Sequence, residues 1–276
     1  MRKISWLLTA LLLSLALSAT AGADPSRHLT KSLNFCGEPV QLDRNDVYQA
    51  VDQNLVLLSE AQSRVWLSLK RAGRFLPVVE NELRRAGLPN DLKYIPYSIT
   101  SFAPEYNSGG RGIWRLRETD ARALGLRVDK DVDQRLDPVA STAAAVKRLS
   151  GLKNSYGSWT TAMAAYMIGD EAMQKAVSEA GGERDYYKIY LPDGQDNLPS
   201  MVLAGKIVFS NPAAFGYHVD SSRLWPAFSG KQATVEQATT ARALAAKYGK
   251  DYKSFRDINP HLISGTVPAG VTINVP

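Results

Sequence analysis

Few groups in this chain can do chemistry. The three histidines, His28, His218 and His261, are far apart and share no ligand spacing, so no metal site is expected. The single cysteine, Cys36, cannot form an internal disulfide and reads as a small, buried apolar residue. No cofactor is expected either. Carboxylate chemistry remains. A carboxylic acid that protonates a glycosidic leaving oxygen works from an apolar pocket that raises its pKa, and a polymeric substrate needs an open cleft. The place to look is a helix end against a Gly-rich loop. That place is Tyr94-Ile95-Pro96-Tyr97-Ser98-Ile99-Thr100-Ser101-Phe102-Ala103-Pro104-Glu105, followed by Gly109-Gly110-Arg111-Gly112-Ile113-Trp114-Arg115-Leu116. The only carboxylate in it is Glu105. Glu118, Asp170 and Glu171 read instead as helix-start residues, where the macrodipole favours an acid.

The surrounding elements follow from periodicity and punctuation. Residues 1–23 carry Arg2 and Lys3, an apolar run and an A-x-A end, the signature of a secretory signal peptide. A retained membrane anchor is disfavoured, because the run is short and Gly22 and Pro25 follow it. No cysteine ends the run, so a lipoprotein is not expected and the predicted location is periplasmic. Residues 24–44, with Pro25, Gly37 and Pro39, read as an extended arm. Apolar residues three to four apart predict a helix from Val47 to Leu69 and a second from Phe75 to Leu83, stopped by Gly87. Asn90-Asp91 starts a helix through Ser98, and Glu118 to Leu124 is a short one closed by Gly125. Asp137-Pro138 starts one reaching about Leu152, and Ser158 caps another that Gly169 breaks. A further helix runs to about Ala180, and Leu198-Pro199 opens the next, ended by Asn211-Pro212. The fold class is therefore mainly α: a helical domain over 45–217, a linker over 218–232, and a small α+β module over 233–276 that closes on an alternating strand. The net charge is +6; Arg2 and Lys3 account for two of these charges, leaving +4 on the rest. Lys and Arg are interspersed with Asp and Glu, which suits an anionic polymer and does not indicate nucleic acid.

On these residues the chain resembles the lysozyme-like domain of lytic murein transglycosylases, closest to the membrane-bound lytic murein transglycosylase D group of glycoside hydrolase family 23. The family pattern is Pro-x-x-Glu-Ser-x-Phe-x-Pro, Gly-x-Trp-Gln, Thr-Ala-x-x-x-Gly-Leu and Ala-Ala-Tyr-Asn-x-Gly. Here the counterparts are Pro96 to Pro104, Gly112-Ile113-Trp114-Arg115, Thr119 to Leu126 and Ala164-Ala165-Tyr166-Met167-Ile168-Gly169. The resemblance spans roughly residues 35–220, including Phe35-Cys36-Gly37-Glu38 and Lys70-Arg71-Ala72-Gly73-Arg74. The tail resembles a LysM-like peptidoglycan-binding module through Tyr248-Gly249, Asn259-Pro260-His261-Leu262, Gly270 and Val275-Pro276, although Ala238-Thr239-Thr240 stands at the usual Gly-Asp-Thr entry.

The resemblance implies a scaffold for peptidoglycan glycan strands, and the departures imply lost chemistry. The family's catalytic Glu falls on Ile99, which carries no proton. The Ser after it is Thr100, the Gln after Gly-x-Trp is Arg115, and the Asn after Ala-Ala-Tyr is Met167; the loop between Ser108 and Gly112 is about two residues short. The expected function is a periplasmic, peptidoglycan-binding pseudoenzyme with no catalytic residue. Glycan-binding candidates are Tyr97, Thr100, Ser101, Trp114, Arg115, Tyr166 and Met167, with Trp114 and Trp159 also fitting as core aromatics. Two alternatives stay open. One is a weakly active enzyme with Glu105 as a relocated acid. The other is an interaction module for other cell-wall enzymes or envelope proteins, with an apolar patch at Ile99, Met167 and Ile168.

Overall fold

The apolar stripe between Val47 and Leu83 folds into two helices, α1 (Asn45–Glu60) and α2 (Gln62–Arg85). They break at Ala61, ahead of the expected break between Leu69 and Phe75. In α2 the buried positions Val65, Leu69, Ala72, Phe75, Val79 and Leu83 keep helical spacing through the basic Lys70–Arg74 stretch, so nothing interrupts the helix there. Pro77 is accommodated inside it. This computed structural model describes residues 24–276 except Tyr106, Asp193, Asp196, Ser229 and Gly230; the expected signal peptide, residues 1–23, lies outside the described residues.

Ahead of α1, strands β1 (Asn34–Phe35) and β2 (Glu38–Pro39) form a two-residue antiparallel pair that seats Phe35 fully in the core. Burial, with Asp91 and Glu38 nearby, pushes the Cys36 thiol far up, which makes it a poor nucleophile. After α2, a 3₁₀ turn (Asn90–Lys93) leads into α3 (Tyr94–Thr100), whose seven residues are all buried. Next come α4 (Glu118–Ala123), α5 (Pro138–Tyr156), α6 (Trp159–Ile168), α7 (Asp170–Glu179) and α8 (Asn197–Ser210). The expected punctuation is in place. Asp137 Oδ1 accepts from the Val139 and Ala140 amides at 2.8 and 3.3 Å, Ser158 Oγ accepts from the Thr161 amide at 3.1 Å, and Gly169 (φ 100°) ends α6. The body is mainly α, as its sequence predicts.

α8 packs against α1 and α3, which buries α3 at the centre of the body. Gly205 makes the α3–α8 approach close: a Cβ there would sit 2.1 Å from Ser98 Oγ. Gly205→Ala is expected to lose about 1–3 kcal/mol of unfolding free energy in urea titrations. Adding Ser98→Ala should restore most of the loss, and a neutral single variant would show that the contact yields freely.

Residues 218–228 run along α2, where the Trp225 and Phe228 amides donate to the Lys70 and Arg74 carbonyls at 3.1 and 2.8 Å. The tail has its own core. Strand β3 (Lys231–Thr234) pairs antiparallel with β6 (Thr272–Val275), and β4 (Thr239–Thr240) with β5 (Thr266–Val267). Helices α9 (Ala241–Lys247) and α10 (Tyr252–Ile258) pack beneath them around Leu244, Phe255, Val267 and Ile273. Val132 from the helical body completes this cluster. Around it, the Asp133 amide donates to His261 O at 2.8 Å and the Ile263 amide to Asp131 O at 3.0 Å. His261 is fully buried, with Nε2 3.0 Å from Thr272 O and Nδ1 3.5 Å from Asp137 Oδ2; burial lowers its pKa and keeps it neutral.

Candidate functional site

The C-terminal end of α3 is strained and heavily tied. Ser101 (φ 54°) and Phe102 (φ 51°) are both left-handed, and so is Arg115 (φ 51°) in the facing turn. For a residue as bulky as Phe102 this is an outlier, and each such residue costs on the order of 1–3 kcal/mol unless its surroundings enforce it. The surroundings do. The Phe102 amide donates to Pro96 O at 3.2 Å, Arg64 donates to Ser98 O, and Arg64 Nε donates to Ser101 Oγ at 3.1 Å. Phe102 packs edge-on against Tyr97, with ring centroids 4.7 Å apart.

Facing this end is the turn over residues 111–116, closed by reciprocal amide–carbonyl bonds between Arg111 and Leu116 at 3.0 and 3.1 Å. Two hydroxyls fix it. Thr100 Oγ1 donates to Ile113 O at 2.6 Å, and Tyr166 Oη donates to Trp114 O at 2.8 Å. Burial drives the Tyr166 phenol pKa far above its ordinary value, so it remains a donor. Trp114 is fully buried and its Nε1 donates to Thr142 Oγ1 at 2.9 Å.

Between these parts lies a cleft of about 210 Å³, lined by Ile99, Gly109, Arg115, Leu116, Arg117, Asp120, Arg148, Tyr166, Met167 and Ile168. Of the glycan-binding candidates, Arg115, Tyr166 and Met167 reach it. Four do not, and each has a physical reason. Trp114 is enclosed in the core and shows no face to solvent. Tyr97 stacks on Phe209 at 4.3 Å. Thr100 spends its hydroxyl on Ile113 and Pro96, and Ser101 is buried against Arg64. These four frame the cleft from behind. Trp159 is also buried, with Lys153 Nζ 5.5 Å from its ring centre.

Ile99, 7% exposed, presents its side chain at the cleft where the resemblance put the acid. Glu105 is not among the lining residues; its side chain is 67% exposed and its Oε1 pairs with Arg71 Nη2 at 3.1 Å. The one carboxylate in the lining is Asp120, which sequence reasoning passed over. Its Oδ2 accepts from Arg117 Nε at 2.9 Å and its Oδ1 pairs with Arg148 Nη1 at 2.7 Å. Burial pushes the Asp120 pKa up, but the bonds and charges of Arg117 and Arg148 outweigh it and leave the pKa below the ordinary value. Arg117 and Arg148 were also missed. The signal for Arg117 was its place two residues beyond Arg115; for Arg148, its place as a cation among the alanines of α5.

Comparisons with known proteins agree with this architecture. Residues 80–189 match the family model of the transglycosylase SLT domain. The match lies within the helical body. The membrane-bound lytic murein transglycosylase D of Escherichia coli (strain K12) is 26% identical over 158 residues, which is 55% of this chain and 35% of that protein. The same figures hold for its counterpart in Escherichia coli O6:H1. A protein of Alteromonas sp. (strain M-1) named for tributyltin chloride resistance is 26% identical over 135 residues, 48% of this chain and 65% of its own length. The matched stretch thus spans about a third of the length of the Escherichia coli relatives. The α3 end, the 111–116 turn and the α6 end that build the cleft all fall within the SLT match. Among the described residues, no helix is long and apolar enough to cross a membrane, and no cluster of His, Cys, Asp or Glu has the arrangement to hold a metal.

Proposed function

We propose that this chain is a periplasmic peptidoglycan-binding protein that holds glycan strands on an SLT scaffold without cleaving them. The observation that carries the reading is the cleft lining: Ile99 at the acid position, and Asp120, its only carboxylate, held ionised by two arginines. General acid catalysis needs a proton at neutral pH, hence a raised carboxyl pKa; Asp120 is shifted the opposite way. Loss of a general acid alone costs a factor of about 10²–10⁴. The SLT match and the murein enzymes among the relatives support the polymer class. The LysM-like residues of the tail support a second contact with the wall, and the signal over residues 1–23 supports export. The relocated-acid reading finds no support in Glu105, which is drawn outward to Arg71. The apolar-patch reading is weakened by the three arginines that share the cleft with Ile99, Met167 and Ile168.

The test uses the mature chain and purified sacculi. It is expected to pellet with the sacculi and to release no 1,6-anhydro muropeptides detectable by mass spectrometry. Release that Glu105→Gln abolishes would sink the reading and reinstate a relocated acid.

A further inference from the structure

The cleft that lacks an acid is cationic. Arg115, Arg117 and Arg148 line it against the single carboxylate of Asp120, leaving an excess of two positive charges. The three guanidiniums are seated by the fold. Arg148 lies over the Tyr166 ring at 5.5 Å. Arg117 rests on Gly169, where a Cβ would come within 2.5 Å of both its terminal nitrogens. Arg115 lies against Gly109, with a Cβ there 3.0 Å from its Nη2, and its Nε donates to Ser108 O at 3.2 Å.

Arg148 is the deciding residue. Its side chain is only 8% exposed, yet only Nη1 is engaged, with Asp120. Nε and Nη2 have no hydrogen-bond partner, and Nη2 is 4.0 Å from Asp170 Oδ1, too far for a hydrogen bond. Buried donors left open cost stability, and a guanidinium edge with two free N–H groups matches the two oxygens of an oxyanion. Arg148 and Asp120 also line a second, wider cleft with Lys147, Arg184 and Asp170, so an extended ligand reaching Arg148 meets two further cations and one carboxylate beyond it.

Resting on the wall-binding reading, we propose that Arg148, with Arg117 and Arg115, binds a carboxylate of peptidoglycan, and that this group is what the cleft recognises in place of a scissile bond. Two sources carry that chemistry: the stem-peptide carboxylates, and the lactyl carboxylate of muramic acid once the peptide is removed. The pocket class is the same for both.

Calorimetry on the mature full-length chain separates them with three probes: N-acetylglucosaminyl-N-acetylmuramic acid, the same disaccharide bearing its tetrapeptide, and neutral chitotetraose. At least one carboxylate probe is expected to bind about tenfold or more tightly than chitotetraose, and whichever does so names the source. Arg148→Gln and the more exposed Arg117→Gln are each expected to remove about tenfold of that preference, the usual worth of a charge-assisted bond. Each substitution opens one of the two Asp120 pairs, but Arg148 is 8% exposed and Arg117 45%, so Arg117→Gln serves as the variant that keeps the fold, checked by an unchanged melting temperature. Exposed Lys175→Gln should bind as the parent does. Equal affinity for all three probes, or an intact preference in folded Arg117→Gln, overturns the proposal. Sacculus sedimentation of the same proteins distinguishes the two failures. Sacculi retained without any carboxylate preference overturn this inference alone. A carboxylate preference in a chain that ignores sacculi overturns the wall-binding reading instead.

Discussion

Ile99→Glu is expected to give no detectable 1,6-anhydro product from sacculi, although it restores the side chain that the SLT resemblance expects at this position. Two physical obstacles remain after the substitution. The first is protonation. The new carboxyl would enter a cleft lined by Arg115, Arg117 and Arg148, and cations at that range favour its ionised form, as Arg117 and Arg148 already do for Asp120. A carboxylate held ionised at neutral pH cannot donate the proton that departure of the glycosidic oxygen requires. The second is placement. Met167 lines the cleft where the family has an amide that would hold the sugar, and misplacement of about 1 Å can cost 10²-fold. Activity is expected only when Ile99→Glu is combined with Met167→Asn and Arg115→Gln, measured as anhydro-product release by the single, double and triple variants. Robust turnover by the single variant would show that the groove is still built for cleavage, and would count against the arginine cleft as a binding site.

What could be read from the sequence divides along a physical line. Helix starts and stops written in one or two residues were legible: Asp137-Pro138, Ser158 and Gly169 each act through a local hydrogen bond or a positive φ. The break at Ala61 was not, since no side chain caps either helix end there and the apolar stripe runs on past it. At the site, the position of Ile99 was legible because it lies within one contiguous motif. The status of Trp114 was not, because residue type alone fits both a sugar platform and a core ring. Burial and the bond to Thr142, on a separate helix, decide it. Tyr97 is similar: its partner Phe209 comes from α8, far along the chain. The arginine cluster was the hardest to foresee. Arg115 and Arg117 come from the turn ahead of α4 and Arg148 from α5, and only folding brings them to one cleft. The same separation hid Asp120, which looks like any acid in a helix's first turn until Arg148 is seen opposite it.

Asp133→Ala is expected to cost the fold about 3–5 kcal/mol, the range for breaking a buried ion pair by removing one partner. Asp133 is 1% exposed and is a junction rather than a simple pair. It accepts from Arg135 Nε and Nη2 at 2.9 and 2.8 Å, from the Arg135 amide at 3.2 Å and from Arg111 Nη1 at 2.8 Å. Its own amide donates to His261 O of the tail module. Truncation leaves the buried Arg135 guanidinium with only the half-exposed Glu118 carboxylate, 3.9 Å away, and unties Arg111, the first residue of the turn that carries Trp114 and Arg115. Loss of stability should therefore appear with loss of cleft geometry. The pH dependence gives a second, independent reading. Burial raises the Asp133 pKa, but the bonds from Arg135 and the charges of Arg135 and Arg111 outweigh it, so the folded value lies below the ordinary 3.8. A carboxyl depressed on folding contributes stability that is fully present above its unfolded pKa and lost as pH falls through the folded one. In urea titrations, the gap between parent and Asp133→Ala should be full at pH 7 and narrow only below about pH 4. Asp133→Asn, which keeps an acceptor oxygen but no charge, should fall between the two. A gap under about 1 kcal/mol at pH 7 is what a solvated surface pair would give, and it would mean that the turn beneath the cleft is held by its backbone bonds alone.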